Sequence, residues 1–170
     1  RLECGTAWVN THLEIRPDAP GTIETRFLGG PPGGENRIET AFHHARRRVG
    51  APTPGVLIEV RSDIPTSAGL GSSGAATIAG LRLYELLTSP MAVADLLSLA
   101  VDVEDHPDNA AASLLGGLTV SCQCDDGRVT ARNWRWPTAV QMVVATPGAE
   151  LATAHARQVL PDTVPMQDAV

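Results

Sequence analysis

The sequence has no excess of positive charge, which proteins that bind nucleic acid or anionic membrane surfaces need. Its 19 Asp and Glu residues outnumber its 13 Lys and Arg residues, so the net charge is -6 at pH 7. The densest basic run, Arg46–Arg48, ends an amphipathic segment, where cations complement the carbonyl end of a helix dipole. We therefore expect neither nucleic acid nor a membrane as a partner.

Long apolar runs and paired cysteines are also missing. No stretch approaches the roughly 20 apolar residues of a transmembrane helix, and residues 1–15 alternate in polarity, unlike an export signal. The 3 cysteines cannot all pair within the chain, and Cys122-x-Cys124 has no second pair to complete a zinc site. These features favour a cytoplasmic location.

Length and periodicity predict a layered α+β fold. The 170 residues, 43% of them hydrophobic, suffice for one compact core. The predicted helices cover residues 37–49, about 74–87, 91–103, a short stretch ending at Gly116–Gly117, and 151–159. The predicted strands cover residues 5–15 and 22–27, as an opening antiparallel pair, then 56–60, a hairpin of 118–124 with 128–133, and 140–145.

A loop of small residues, Pro65–Ala76, lies between a predicted strand and a long apolar helix. Its glycines allow consecutive backbone amides to face one concavity, and the start of the helix adds unpaired donors and partial positive charge. The hydroxyls of Ser72 and Ser73 can bind phosphate oxygens or magnesium. The pattern predicts a polyphosphate site; the alternative is a tight turn whose small residues only permit close packing.

Two common nucleotide motifs do not account for this loop. The Gly-Lys-Ser/Thr of a Walker A loop is absent. Gly69, Gly71 and Gly74 match the G-x-G-x-x-G spacing, but strands and a helix precede them, whereas the Rossmann fingerprint occupies the first strand-to-helix turn of its unit. A dinucleotide site is therefore not favoured.

A second polar cluster, Glu104–Asn109, interrupts the helical pattern with carboxylates, an imidazole and an amide. One interpretation is a capped, solvated loop in which Asp108 or Asn109 starts the next helix. The apolar, glycine-rich segment 114–118 that follows favours a cluster held against the core, as functional loops often are.

These two segments resemble a known family. Pro65–Ala76 is similar to the phosphate-binding motif of the GHMP kinases (galactokinase, homoserine kinase, mevalonate kinase and phosphomevalonate kinase), and residues 103–118 resemble the signature of the homoserine kinase branch. A third stretch, residues 146–161, is similar to the segment of that branch that contains Glu-Leu-Ser-Thr, Ala-Arg and Leu-Pro. The resemblance implies an N-terminal ATP-binding domain of the ribosomal protein S5 domain 2-like fold over residues 1–138. Residues 139–170 would begin a ferredoxin-like C-terminal domain. The N-terminal substrate segment and the C-terminal glycine-rich motif of the family have no counterpart here.

The resemblance also implies roles for individual residues. Glu104 and Ser73 would ligate the Mg2+ of MgATP, and with Asn109 they are the predicted catalytic residues. His106, Asn109, Thr153 and Arg157 would hold L-homoserine. The implied ATP-binding residues are Asn36, Pro65, Ser67, Ala68, Gly69, Leu70, Gly71, Ser72, Ser73 and Gly74. From the residues alone, Asn36 is sufficiently explained as a helix cap and Arg157 as a surface residue.

The implied reaction transfers the γ-phosphoryl group of ATP to the hydroxyl of L-homoserine. Two departures from the family pattern are Gly74 in place of Ala, expected to loosen the first helical turn, and Asp105 in place of Gly, which adds a carboxylate. The alternatives are a GHMP kinase for another small alcohol, or a catalytically silent nucleotide-binding module. A homodimer is compatible with the sequence.

Overall fold

The computed structural model describes residues 2–4, 7–16, 19–29, 34–65, 68–144, 161 and 163–168. The strands are β1 (Leu2–Cys4), β2 (Ala7–Arg16), β3 (Ile23–Phe27), β4 (Gly55–Ser62), β5 (Leu118–Gln123) and β6 (Val129–Trp134). The helices are α1 (Arg37–Val49), α2 (Ser72–Leu87), α3 (Val93–Glu104) and α4 (Asp108–Leu115), and a short 3-10 helix covers Met166–Asp168. The predicted α+β class is confirmed.

The first sheet has the strand order β1-β2-β4-β3. β2 runs antiparallel to β4, while β3 runs parallel to β4 and reaches it through the crossover that contains α1. The predicted antiparallel pair of β2 with β3 is therefore wrong. β4 takes the place between them because Val56, Leu57, Ile58 and Val60 are all buried, whereas the half-polar β3 suits an edge.

Helix α2 is fixed against α1 by a close helix crossing. A Cβ atom at Gly80 would overlap the carbonyl oxygen of Ile38, so only glycine lets α1 approach this closely. The rings of Phe42 and Tyr84, both fully buried, meet edge to face with centroids 5.9 Å apart. The Tyr84 hydroxyl also accepts a 3.1 Å hydrogen bond from the backbone N–H of Ala51. The direction in which the start of α2 points is set by this core.

The far end of α2 is tied to the chain entering α3. The Glu85 carboxylate accepts hydrogen bonds from the backbone N–H of Met91 at 2.8 Å and from Arg82 at 2.5 Å. Burial alone would raise the pKa of Glu85, but these two partners outweigh it and lower the pKa below its ordinary value. The ionised carboxylate thus holds the turn that sets α3 beside α2.

In the C-terminal part, the structure confirms the predicted hairpin. β5 and β6 pair antiparallel from Leu118↔Trp134 to Gln123↔Val129, as predicted. The prediction of a strand over 140–145 is wrong for residues 140–144, which are irregular. Their backbone pairs with no strand in the described ranges, and their apolar side chains are exposed. The helix predicted over 151–159 lies outside the described residues. Along the part of the chain that the structure describes, no helix is long and apolar enough to cross a membrane.

Candidate nucleotide and metal site

The N-terminus of α2 is open. Its N-cap, Gly71, is left-handed with φ 72°, no capping hydrogen bond from a side chain is formed there among the described residues, and its first turn carries no acidic residue. The first intrahelical bond runs from the N–H of Ala75 to the carbonyl of Gly71 at 3.0 Å. The three preceding amides, those of Ser72 to Gly74, have no carbonyl partner within the helix. They form an electropositive end suited to an anion.

The loop before α2 presents its residues at the surface. Gly69 also has a positive φ, 73°, so two left-handed glycines turn the chain into the helix. Pro65, Gly69, Leu70 and Ser73 are exposed, whereas Ala68, Gly71 and Ser72 are partly buried and Gly74 is buried. Ser67 lies outside the described residues. The loop residues next to the uncapped start of α2 are therefore accessible to a ligand.

Glu104, the last residue of α3, meets α2 at this same end. The Ser73 hydroxyl lies 2.8 Å from Oε1 and 2.6 Å from Oε2 of Glu104. The Thr77 hydroxyl donates a 2.6 Å hydrogen bond to Oε1. Ser73 and Thr77 are four residues apart and share one face of α2. Sequence reasoning paired Ser73 with Glu104 but missed Thr77; its spacing from Ser73 was the available signal.

These oxygens fit a divalent cation that arrives with a nucleotide. A hydroxyl and a carboxylate are hard donors, and Mg2+ is usually held by one or two carboxylates together with substrate phosphates and water. Within the described ranges no three His, Cys, Asp or Glu side chains converge on one point. Ser73 and Glu104 would therefore supply the protein ligands, and phosphate oxygens and water the others.

The break after α3 shows why glycine is usual in the family at the position of Asp105. Asp105 is the C-cap of α3, and its N–H donates to the carbonyl of Val101 at 2.9 Å. With φ 65° it is the one non-glycine residue of the described chain that has a positive φ. Glycine is favoured at such a left-handed cap because it has no Cβ.

The start of α4 orders the two predicted substrate residues. Oδ1 of Asp108 lies 2.5 Å from Nδ1 of His106 and accepts a 2.6 Å hydrogen bond from the backbone N–H of Asn109. One carboxylate oxygen thus fixes the ring of His106 and the first turn of α4. Helix α4 starts at Asp108, as the alternative interpretation expected, but its N-cap is Pro107 and no side chain of the described residues forms a capping hydrogen bond there.

Asn109 packs directly on the glycine loop. A Cβ atom at Gly71 would lie 3.1 Å from Oδ1 of Asn109, and one at Gly74 would lie 2.9 Å from the Cβ of Asn109. Gly74 therefore permits a close approach of α2 and α4. The predicted loosening of the first helical turn by Gly74 stays a prediction, but its packing role has a direct geometric reason.

The remaining predicted residues divide into two groups. Asn36 is the N-cap of α1, where its Oδ1 accepts a 3.4 Å hydrogen bond from the N–H of Glu39. Its neighbour Arg37 donates to the carbonyl of Val103 at 3.1 Å, so the start of α1 lies against the end of α3, next to Glu104. Thr153 and Arg157 lie outside the described residues.

Comparison with known proteins agrees with the resemblance. Residues 36–117 match the family model of the GHMP kinases N terminal domain. The homoserine kinases of Synechococcus sp. (strain CC9902) and Prochlorococcus marinus (strain MIT 9303) are 36% and 38% identical over 151 and 156 residues, covering 88% of this chain and 47% of each relative. A crystal structure of homoserine kinase from Cytophaga hutchinsonii ATCC 33406 superposes with a TM-score of 0.70 at 26% identity, over 95% of this chain and 54% of that one.

The chain thus spans about half the length of the curated relatives it matches. The match to the family model includes the loop before α2 and the break between α3 and α4, two of the three segments on which the resemblance is based. The chain belongs to the GHMP kinase family.

Proposed function

We propose that the protein is a cytoplasmic homoserine kinase that makes O-phospho-L-homoserine for threonine biosynthesis. The observation that carries the proposal is the convergence of Ser73 and Glu104 beside the uncapped start of α2. A helix end with free amides, a hydroxyl and a carboxylate is what a magnesium-bound triphosphate requires. The choice of homoserine as acceptor is supported by the names of the similar proteins.

In the proposed reaction the homoserine hydroxyl oxygen bonds to the γ-phosphorus, the bond from that phosphorus to the β,γ-bridging oxygen breaks, and ADP leaves. The hydroxyl proton is released in the same exchange, and we assign no general base. Mg2+, when bound, neutralises charge on the β- and γ-phosphates. The amides of Ser72, Ser73 and Gly74 hold phosphate oxygens in place, because phosphoryl transfer depends mainly on positioning and electrostatic stabilisation.

On the acceptor side, His106 and Asn109 would contact the amino acid. His106 precedes α4, and Asn109 is in its first turn, which packs on the glycine loop before α2. A substrate held by these two residues would therefore lie beside the γ-phosphate. Thr153 and Arg157 would complete the site, with the Arg157 guanidinium binding the substrate carboxylate. We propose residues 1–138 as the ATP-binding domain, 139–170 as the beginning of the second domain, and a homodimer as one assembly to test.

The test is a coupled ADP-release assay on the natural full-length protein with MgATP. L-Homoserine is compared with no acceptor, with L-serine and with mevalonate and galactose. We expect ADP release that requires L-homoserine, together with the 31P signal of a phosphate monoester. Turnover with another alcohol but not with L-homoserine would show that the proposed acceptor is wrong. ATP binding without turnover on any acceptor would show that the protein is a nucleotide-binding module and not a kinase.

A further inference from the structure

We infer that Thr77 is a positioning residue for Glu104: its buried hydroxyl holds Oε1 of the carboxylate inward, so that Oε2 faces the nucleotide side together with the Ser73 hydroxyl. The inference deepens the proposed function and rests on it. It concerns a residue that lies outside the glycine-serine loop and outside the polar cluster at the break after α3.

The hydroxyl of Thr77 is buried and has a specific partner. The residue is 0% exposed and stands among the apolar residues Ile78, Ala79 and Leu81 of α2, all nearly or fully buried. A buried hydroxyl that is not hydrogen-bonded destabilises the fold, so such groups nearly always have partners. Here the partner is Oε1 of Glu104 at 2.6 Å, a short bond of the kind formed to ionised carboxylates. Packing alone would be served equally by valine, which has nearly the same shape as threonine.

The two oxygens of Glu104 are not equivalent. Oε1 lies within hydrogen-bond distance of both hydroxyls, whereas Oε2 has Ser73 as its partner, at 2.6 Å. Ser73 carries a single hydroxyl proton and can donate it to one oxygen at a time. The bond from Thr77 therefore fixes which oxygen faces the interior. Oε2 is left as the oxygen that can bind a cation beside the exposed Ser73.

The two hydroxyls are held on a packed helix, whereas the carboxylate is at a helix end. Ser73 and Thr77 stand one turn apart on α2, whose position is set by the close crossing at Gly80. Glu104 is the last residue of α3, directly before the left-handed turn at Asp105. Without Thr77 the carboxylate could rotate away from α2. Mutation of a partner that orients a metal ligand in this way typically lowers metal affinity or activity on the order of 10- to 100-fold.

The test compares Thr77→Ala with Thr77→Ser in the natural full-length protein. Both variants lose the methyl group, but only Thr77→Ala loses the hydroxyl. Mn2+ in the presence of ATP serves as the probe, followed by electron paramagnetic resonance. We expect the Mn2+ Kd to rise on the order of 10-fold in Thr77→Ala and less than about threefold in Thr77→Ser. Both variants should lose a few degrees of Tm, and Thr77→Ala more than Thr77→Ser, because the serine leaves only a methyl-sized cavity whereas the alanine also removes the hydroxyl and its hydrogen bond.

Steady-state kinetics give a second reading. The Mg2+ concentration for half-maximal activity should rise in Thr77→Ala, while kcat at saturating Mg2+ is largely retained. Equal Mn2+ affinity in Thr77→Ala and the wild type, or equal weakening in both variants, would overturn the inference. If Thr77→Ala does not fold, Thr77→Val fills the space without a donor and is judged by the same criteria. Failure of the wild type to bind Mn2+ with ATP would overturn the proposed function as well.

Discussion

Helices α1 and α2 both begin after a glycine-rich segment, but their first turns differ. At α1 the side chain of Asn36 accepts the N–H of Glu39, whose own carboxylate lies in the first turn. At α2 the cap is a left-handed glycine, and neither a capping bond nor an acidic side chain is found in that first turn, which the structure describes fully. One helix end is thus satisfied by its own residues, and the other remains available for an anion.

The difference separates a folding role from a binding role. A capping side chain such as that of Asn36 stabilises a helix by about 1 kcal/mol, and α2 forgoes this stabilisation. The start of α2 instead lies next to Ser73 and Glu104, whose oxygens can hold a cation. The sequence after each glycine segment therefore indicates whether the amides at the helix start are used internally or left for a ligand.

The largest effect is expected when the carboxylate at the open end loses its charge. Glu104→Gln keeps the shape and the acceptor for Thr77 but removes the negative charge that a cation needs. We expect homoserine-dependent turnover to fall at least about 100-fold, with a small change in Tm. Glu24→Gln, an exposed carboxylate paired with Arg16 on the sheet, is the matched control and should keep its activity. Retained turnover in Glu104→Gln would remove this residue from the site.

The second effect comes from closing the open end of α2. Ser72→Asp places a carboxylate in the first turn, which should stabilise the helix by about 0.3–1 kcal/mol. The same charge should repel the triphosphate, since two like charges about 4 Å apart repel by roughly 1–4 kcal/mol near a protein surface. We expect the ATP Kd, measured by calorimetry, to rise at least about 10-fold. Ala94→Asp in the exposed first turn of α3 should leave it unchanged; a rise there too would point to general repulsion.

A third prediction separates two glycines of α2. Gly80→Ala should destabilise the protein by roughly 1–3 kcal/mol, because its Cβ would meet the carbonyl of Ile38 and overpacking outweighs the gain of about 1 kcal/mol in helix propensity. Gly74→Ala should cost less stability but displace Asn109, whose Cβ would lie 2.9 Å from the new one. Chemical denaturation and the homoserine KM measure the two effects. A raised KM in Gly80→Ala alone would contradict this division.

The smallest effect is expected at the closed end. Asn36→Ala should lower the free energy of unfolding by about 1 kcal/mol through loss of the α1 cap, and Asn36→Ser should retain most of it. Thermal denaturation checks both variants. The family-based role of Asn36 near the adenine stays a prediction, and the Ser variant tests it. A higher ATP Kd in Asn36→Ser at unchanged stability would show a nucleotide contact besides the cap.

Local signals predicted much of this structure. The bounds of α1 follow from a cap and an amphipathic repeat, and the β5–β6 hairpin from Asp126-Gly127. The pairing of the opening strands was predicted wrongly because pairing is non-local: β4, which is later in the sequence, lies between β2 and β3. The family, and with it the expectation of a GHMP kinase domain, was recognisable from three short segments and is confirmed.

The site was predictable in its parts but not in its contacts. Ser73 and Glu104 were paired by resemblance, yet their distance depends on how α2 packs on α3. Thr77 was missed: its spacing of four residues from Ser73 places it on the same face of α2, but the sequence does not show that its hydroxyl meets Glu104. Asp105 was recognised as a departure, but its left-handed backbone depends on where α3 ends.

A crystal structure of the natural full-length protein with Mg2+ and a non-hydrolysable ATP analogue tests the central claim most directly. We predict phosphate oxygens roughly 2.7–3.2 Å from the amides of Ser72, Ser73 and Gly74, and Mg2+ bound by Ser73 and by Oε2 of Glu104. Triphosphate bound away from the start of α2, or a metal ion that touches neither side chain, would contradict the account.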